Sequence, residues 1–120
     1  MLLVDDDQDN LKMLSVLITD PPAKVQAASS VGEAIEMLEW YKPDVVVSDL
    51  AMPGEDGYSL IAKIRAMDNG KVVPALALTA YVQVEDRARA LSAGFNRFVP
   101  KPVKPTELIP AIANLAETAN

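Results

Sequence analysis

Val45-Val46-Val47-Ser48-Asp49, residues 45–49, is an apolar run too short for a helix that ends on two polar side chains. A strand covered by helices on both faces of a parallel sheet looks like this, because neither face needs polar residues. The same signature recurs in Leu2-Leu3-Val4 before Asp5 and in Ala75-Leu76-Ala77-Leu78 before Thr79. Two shorter, more polar segments, residues 25–28 and 96–99, are candidates for edge strands and complete a set of five.

Between these runs apolar residues recur at helical spacing: Leu11, Leu14 and Ile18; Val31, Ile35 and Leu38; Leu60, Ile64 and Met67; Val84, Ala88 and Leu91; Leu108, Ile112 and Leu115. Each set predicts the buried stripe of an amphipathic helix. Ser30 with Glu33 reads as a capping box, Asp56 as the cap of the third helix, and Gly94 as a stop after the fourth. Pro110 falls inside the last stripe, so that helix is expected to begin near Thr106 or later, or to kink. Strand and helix alternating five times imply right-handed crossovers, hence an α/β fold with an open parallel five-stranded sheet between two helical layers. The 120 residues suit one domain, 1–120, with no linker or repeat.

Composition narrows the chemistry. The chain has no cysteine and no histidine, which excludes disulfides, thiolate sites, imidazole bases and histidine metal ligands. The charge of −6 disfavours nucleic acid or an anionic membrane as partner. It is unevenly spread: residues 1–60 carry twelve acidic and three basic side chains (−9), residues 61–120 five and eight (+3). No apolar run is long enough to span a membrane and no signal peptide is apparent, so a cytoplasmic location is expected.

In an open parallel sheet, ligands bind beyond the carboxyl ends of the strands. Asp5, Asp6 and Asp7 follow the first strand, Asp49 ends the third, Thr79 ends the fourth and Lys101 follows the fifth. If the first and third strands are neighbours, Asp5, Asp6 and Asp49 meet in one crevice. Three carboxylates there repel each other, and a divalent cation with oxygen ligands, Mg²⁺ rather than Ca²⁺, relieves the repulsion. Taken singly each feature has a plainer explanation, an Asp run at a strand-helix junction being often only a helix cap. Their joint placement at one end of the core strands favours a site.

Val4-Asp5-Asp6, Ser48-Asp49-Leu50-Ala51-Met52-Pro53 with Gly57, Leu78-Thr79-Ala80 and Lys101-Pro102 together make the chain resemble the receiver domain of two-component response regulators over essentially its whole length. The resemblance implies a flavodoxin-like (βα)₅ fold with strand order 2-1-3-4-5. It implies that Asp49 is the phosphoacceptor, charged from a phosphohistidine on a histidine kinase or histidine phosphotransfer protein. Asp5, Asp6, Asp49 and the backbone carbonyl of Ala51 would hold Mg²⁺ or Mn²⁺, and Thr79 and Lys101 would bind phosphoryl oxygens. Thr79 and Phe98 would switch the face made by the fourth helix, fifth strand and fifth helix, and the bond before Pro102 would be cis. The isolated domain would then be no enzyme beyond its own phosphorylation and dephosphorylation.

Ala51 and Tyr81 depart from common family residues at positions lining the approach to the phosphoryl group, which bears on its lifetime. The first strand starts almost at Met1, as in a domain trimmed from a longer protein. The C-terminal half is most similar to receivers of hybrid sensor histidine kinases. No oligomeric state follows from the sequence. Two other classes compete. Asp5-Asp6-Asp7 carries the D-x-D spacing of haloacid-dehalogenase-like Mg²⁺ phosphatases, with Asp5 as nucleophile and Asp7 as acid/base. Against this, Gln8 and Asp9 stand where a Thr or Val is expected, and 120 residues leave little room for a cap. A receiver-like module that binds partners without phosphorylation is disfavoured by the intact set of five site residues.

Overall fold

A computed structural model describes residues 1–17, 25–50, 56–67, 73–79, 84–101 and 103–118. Five strands alternate with five helices: β1 (Leu2–Val4), α1 (Gln8–Leu17), β2 (Gln26–Ala28), α2 (Val31–Leu38), β3 (Val46–Asp49), α3 (Gly57–Ala66), β4 (Ala75–Thr79), α4 (Val84–Ala93), β5 (Arg97–Pro100) and α5 (Pro105–Thr118). The strands form one sheet in the order β2-β1-β3-β4-β5, every pair parallel. This is the expected flavodoxin-like arrangement, with β1 and β3 adjacent.

Alternation along the strands divides the core into two layers. Val4, Ala28, Val46, Ala75 and Ala77 face Val31, Ala34 and Leu38 of α2, Leu60, Ile61 and Ile64 of α3, and Ala90 of α4. Leu3, Val45, Val47, Leu76, Leu78 and Val99 face Leu11 and Leu14 of α1 and Leu108, Ala111, Ile112 and Leu115 of α5. A fully buried Leu, Ile or Val contributes about 1.5–3 kcal/mol, so the central strands, apolar on both faces, carry much of the stability.

The caps follow the sequence signals. Ser30 Oγ accepts from the Glu33 N–H at 3.1 Å, while the Glu33 carboxylate accepts from the Ser29 N–H at 3.2 Å, one residue before the usual partner in a capping box. Asp56 Oδ1 accepts from the Ser59 N–H at 3.0 Å. Gly94, at φ 125°, closes α4: its N–H donates to the Leu91 carbonyl and that of Phe95 to the Ala90 carbonyl, the paired bonds of a Schellman motif.

Three expectations shift. The stripe on α4 is misplaced: Ala88 is exposed and Leu91 is 50% exposed, whereas Ala90 is buried. With alanines at 88, 90 and 93, hydropathy scarcely distinguishes the two faces. The last helix starts at Pro105, earlier than expected, and Pro110 lies in its second turn. Pro105 suits a first helical position, having no N–H to leave unpaired, and the Glu107 and Leu108 N–H groups donate to the Lys104 carbonyl at 2.9 Å. The third strand ends at Asp49 as expected, whereas the fifth runs one residue further toward its carboxyl end, because Thr79 pairs with Pro100. Pro100 is tolerated on an edge strand. Ile18 lies outside the described residues.

Candidate functional site

The sheet register builds the site. Val4 pairs with Ser48, so Asp5 and Asp49 are the next residues along adjacent strands and leave the sheet side by side. Asp5 and Asp49 are buried and Asp6 is exposed, and one carboxylate oxygen from each lies within 4.8 Å of the others. Lys101 completes the group: its Nζ is 3.0 Å from Asp49 Oδ2. The lysine is brought there by its own backbone, whose N–H donates to the Thr79 carbonyl at 2.7 Å and carries the β4–β5 pairing past Pro100. Thr79 is buried at the end of β4. Asp5, Asp6, Asp49, Thr79 and Lys101 therefore stand at the carboxyl edge of the sheet, on four different strand ends.

Asp5 is engaged through both oxygens. Oδ1 accepts from the Asp7 N–H at 3.0 Å, and Oδ2 is 3.5 Å from the Asn10 amide nitrogen. Burial pushes its carboxyl above the ordinary carboxylate value, the Asp7 N–H opposes this, Asp49 and Asp6 push it further up and Lys101 draws it down. Asp7 has a different task. Its Oδ1 accepts from the N–H groups of Asp9 at 2.9 Å and Asn10 at 3.4 Å and so caps α1. The Asp run thus divides: two carboxylates join the cluster and the third ends a helix. Asp7, committed to the cap, is badly placed as acid/base for the phosphatase reading.

Gly57 explains how α3 can begin so near the site. A Cβ there would lie 2.6 Å from the Asp49 carbonyl oxygen and 2.8 Å from Leu50 Cα, and the Gly57 N–H donates to the Leu50 carbonyl at 3.0 Å. Only glycine allows this approach.

Phe98 is not part of the cluster. It sits on β5 beside Ala77, half-buried, with its side chain packed on the α2–α3–α4 layer. Ala51, Tyr81 and Pro102 lie outside the described residues. Asn10 and Ser48 were not singled out by the sequence. Nothing chemical marks either one until the fold puts Asn10 beside Asp5 and the Ser48 hydroxyl on the Asp49 carbonyl, at 2.9 Å.

The donor set consists of hard carboxylate oxygens, two of the three residues being buried, and fits a divalent cation that prefers oxygen. Residues 1–113 match the family model for the response regulator receiver domain. The chain belongs to that family. It is a receiver domain of two-component signalling. It is 46% identical over 109 residues to the "Uncharacterized 14.6 kDa protein in sodA1 3'region" of Leptolyngbya boryana, covering 91% of this chain and 83% of that protein. It is 34% identical to hybrid signal transduction histidine kinase D of Dictyostelium discoideum, all of this receiver aligning with 8% of the kinase. Among solved structures, the receiver domain of the sensor histidine kinase PA1611 from Pseudomonas aeruginosa superposes with a TM-score of 0.87 at 32% identity, covering 97% of this chain and 95% of that one. That structure has a magnesium ion coordinated in its active-site cleft. Among the described residues of this receiver, no helix is long and apolar enough to cross a membrane.

Proposed function

We propose that this receiver accepts a phosphoryl group on Asp49 from the phosphohistidine of a histidine kinase or histidine phosphotransfer protein, with Mg²⁺ or Mn²⁺ held by Asp5, Asp6 and Asp49. The observation that carries the reading is the convergence of three carboxylates and one ammonium group at the carboxyl edge of the sheet. An ionised Asp49 oxygen attacks phosphorus, the O–P bond forms, and the N–P bond breaks with its electron pair going to the departing imidazole. A carboxylate nucleophile has no proton to give up and needs no general base.

Phosphoryl transfer asks a protein chiefly for alignment and for charge neutralisation on the transferring oxygens. The Lys101 ammonium group, 3.0 Å from an Asp49 oxygen, supports a role in binding a phosphoryl oxygen on that carboxylate. The Thr79 hydroxyl supplies a further donor. A bound Mg²⁺ would offset the repulsion between the incoming phosphoryl group and the carboxylates. The backbone carbonyl of Ala51 as a further ligand, and the side chains of Ala51 and Tyr81 on the path of approaching water, belong to the same reading.

The switch in this reading couples Thr79 to Phe98 and biases α4, β5 and α5 through contacts that differ between the two states. Phe98 is half-buried on the edge strand β5, packed against the layer of α2, α3 and α4. The likeness to receivers of histidine kinases supports origin in a hybrid kinase, which the reading frame of the parent gene tests. A cytoplasmic location, with neither nucleic acid nor membrane bound by this domain, agrees with the acidic charge.

The test is intact-mass measurement after incubation with acetyl phosphate. One phosphoryl group should be added in the presence of Mg²⁺ and none after chelation, and Asp49→Asn should remain folded and unlabelled. Equal labelling of Asp49→Asn would refute the assignment. Steady turnover of phosphate esters would favour the phosphatase reading instead.

A further inference from the structure

Ser48 is fully buried, in the row of the sheet that runs Ala28, Val4, Ser48, Ala77, Phe98 and faces α2, α3 and α4. Its neighbours in that row are apolar. A hydroxyl there must be satisfied, and it donates to the carbonyl oxygen of Asp49 at 2.9 Å. β1 ends at Val4, opposite Ser48, so this carbonyl lies past the last pair of the β1–β3 ladder. The peptide that links Asp49 to Leu50 is held from two further sides. Leu50 N–H donates to the Leu78 carbonyl of β4 at 3.0 Å, and α3 closes against the Asp49 carbonyl at Gly57, where no Cβ would fit.

This peptide includes the Asp49 Cα, so holding it fixes the point and direction from which the side chain leaves the backbone. That direction in turn sets where Oδ2 stands relative to Lys101 and the other two carboxylates. A neutral donor is well suited to the task, because it orients the carbonyl without adding a charge to a crowded acidic site. We propose that Ser48 is a positioning residue for Asp49: its hydroxyl locks the Asp49–Leu50 peptide and thereby aims the carboxylate for phosphoryl transfer and cation binding. The inference rests on the reading of Asp49 as phosphoacceptor.

Thr and Val have the same shape and differ in the hydroxyl, so they separate hydrogen bonding from packing at this site. The wild-type chain and the variants Ser48→Ala, Ser48→Thr and Ser48→Val are compared in two measurements, with thermal melts to verify folding. The first is the rate of Asp49 labelling by acetyl phosphate at saturating Mg²⁺. The second is the Mg²⁺ dissociation constant of the unphosphorylated protein by calorimetry. Loss of one neutral hydrogen bond predicts labelling about three- to ten-fold slower in Ala and Val, with weaker Mg²⁺ binding, and recovery of both in Thr. Wild-type rates and affinities in Ala and Val would overturn the inference, and so would equal impairment of Thr and Val, which would make packing the cause. If the wild-type chain itself is not labelled at Asp49, the phosphoacceptor reading fails, and the Mg²⁺ affinities alone then decide whether Ser48 aims the carboxylate.

Discussion

The burial that sets Asp5 beside Asp49 also makes its ionisation unfavourable, with Asp49 and Asp6 adding to the effect. The folded carboxyl therefore binds its proton more tightly than the unfolded one, whose ordinary value is 3.8. Between that value and the raised folded one, the native state holds more protons, so stability declines as pH rises through this window. At neutral pH Asp5→Asn should raise the Tm of the metal-free protein by a few degrees, on the order of 1 kcal/mol, because the amide keeps the acceptor for the Asp7 N–H and loses the repulsion. The same change should erase most of the stabilisation by Mg²⁺, which for the wild type reaches about 2.7 kcal/mol at a hundred times the dissociation constant. Mg²⁺ affinity should also begin to weaken at a higher pH than for an ordinary carboxylate site as the solution is acidified. Calorimetric titrations across pH check this, and a pH-independent affinity down to the ordinary carboxylate range would contradict it. The five principal residues of the site were legible beforehand because each lies at or just past the carboxyl end of an expected strand. Ser48 was not, since a serine before an aspartate carries no spacing signal and its value depends on where the neighbouring carbonyl points.

Between elements, close approach and polar clamps govern what can be changed. Gly57→Ala would drive a methyl into the Asp49 carbonyl and Leu50 Cα, both backbone, so α3 must shift away from the site. We expect a loss of about 1–3 kcal/mol in urea unfolding, together with weaker Mg²⁺ binding. At the opposite edge of the sheet, Arg65 at the end of α3 ties three elements together. Its Nη1 donates to the Val73 carbonyl at 2.6 Å, its Nη2 to the Gly94 carbonyl at 2.7 Å and to Asn96 Oδ1 at 3.1 Å, and Asn96 Oδ1 also accepts from the Ala75 N–H at 2.8 Å. Arg65→Ala should destabilise by about 2–4 kcal/mol while leaving Mg²⁺ affinity nearly unchanged, the reverse of what a change near Asp49 does. Such a clamp could not be seen in the sequence, where Arg65 and Asn96 are 31 positions apart. The helices were visible where large apolar residues recur, as on α5, and obscure on α4, where alanines let either face pass for the buried one. Of the two weak strands, β2 falls within its expected segment and β5 is displaced by one residue, because pairing with β4, and not hydropathy, extends it to Pro100.

Across the whole molecule, charge follows function. The acidic half of the chain, −9 over residues 1–60, contributes all three carboxylates of the cluster, while the +3 half contributes Lys101. The sheet joins them: β1 and β3 bring acid to its carboxyl edge, and β4 and β5 bring the hydroxyl and the ammonium group. Three carboxylates and one ammonium group leave the site acidic where a divalent cation and then a phosphoryl group are expected, and the lack of histidine fits a protein that receives phosphoryl groups from phosphohistidine elsewhere. The atom that carries the phosphoryl group separates the receiver from the phosphatase and from a module that is never phosphorylated. Treating the acetyl-phosphate-labelled protein with borohydride converts an aspartyl phosphate to homoserine, which peptide mass spectrometry locates. The account predicts conversion at Asp49, dependent on Mg²⁺; conversion at Asp5, or at no aspartate in a folded, Mg²⁺-bound protein, would contradict it.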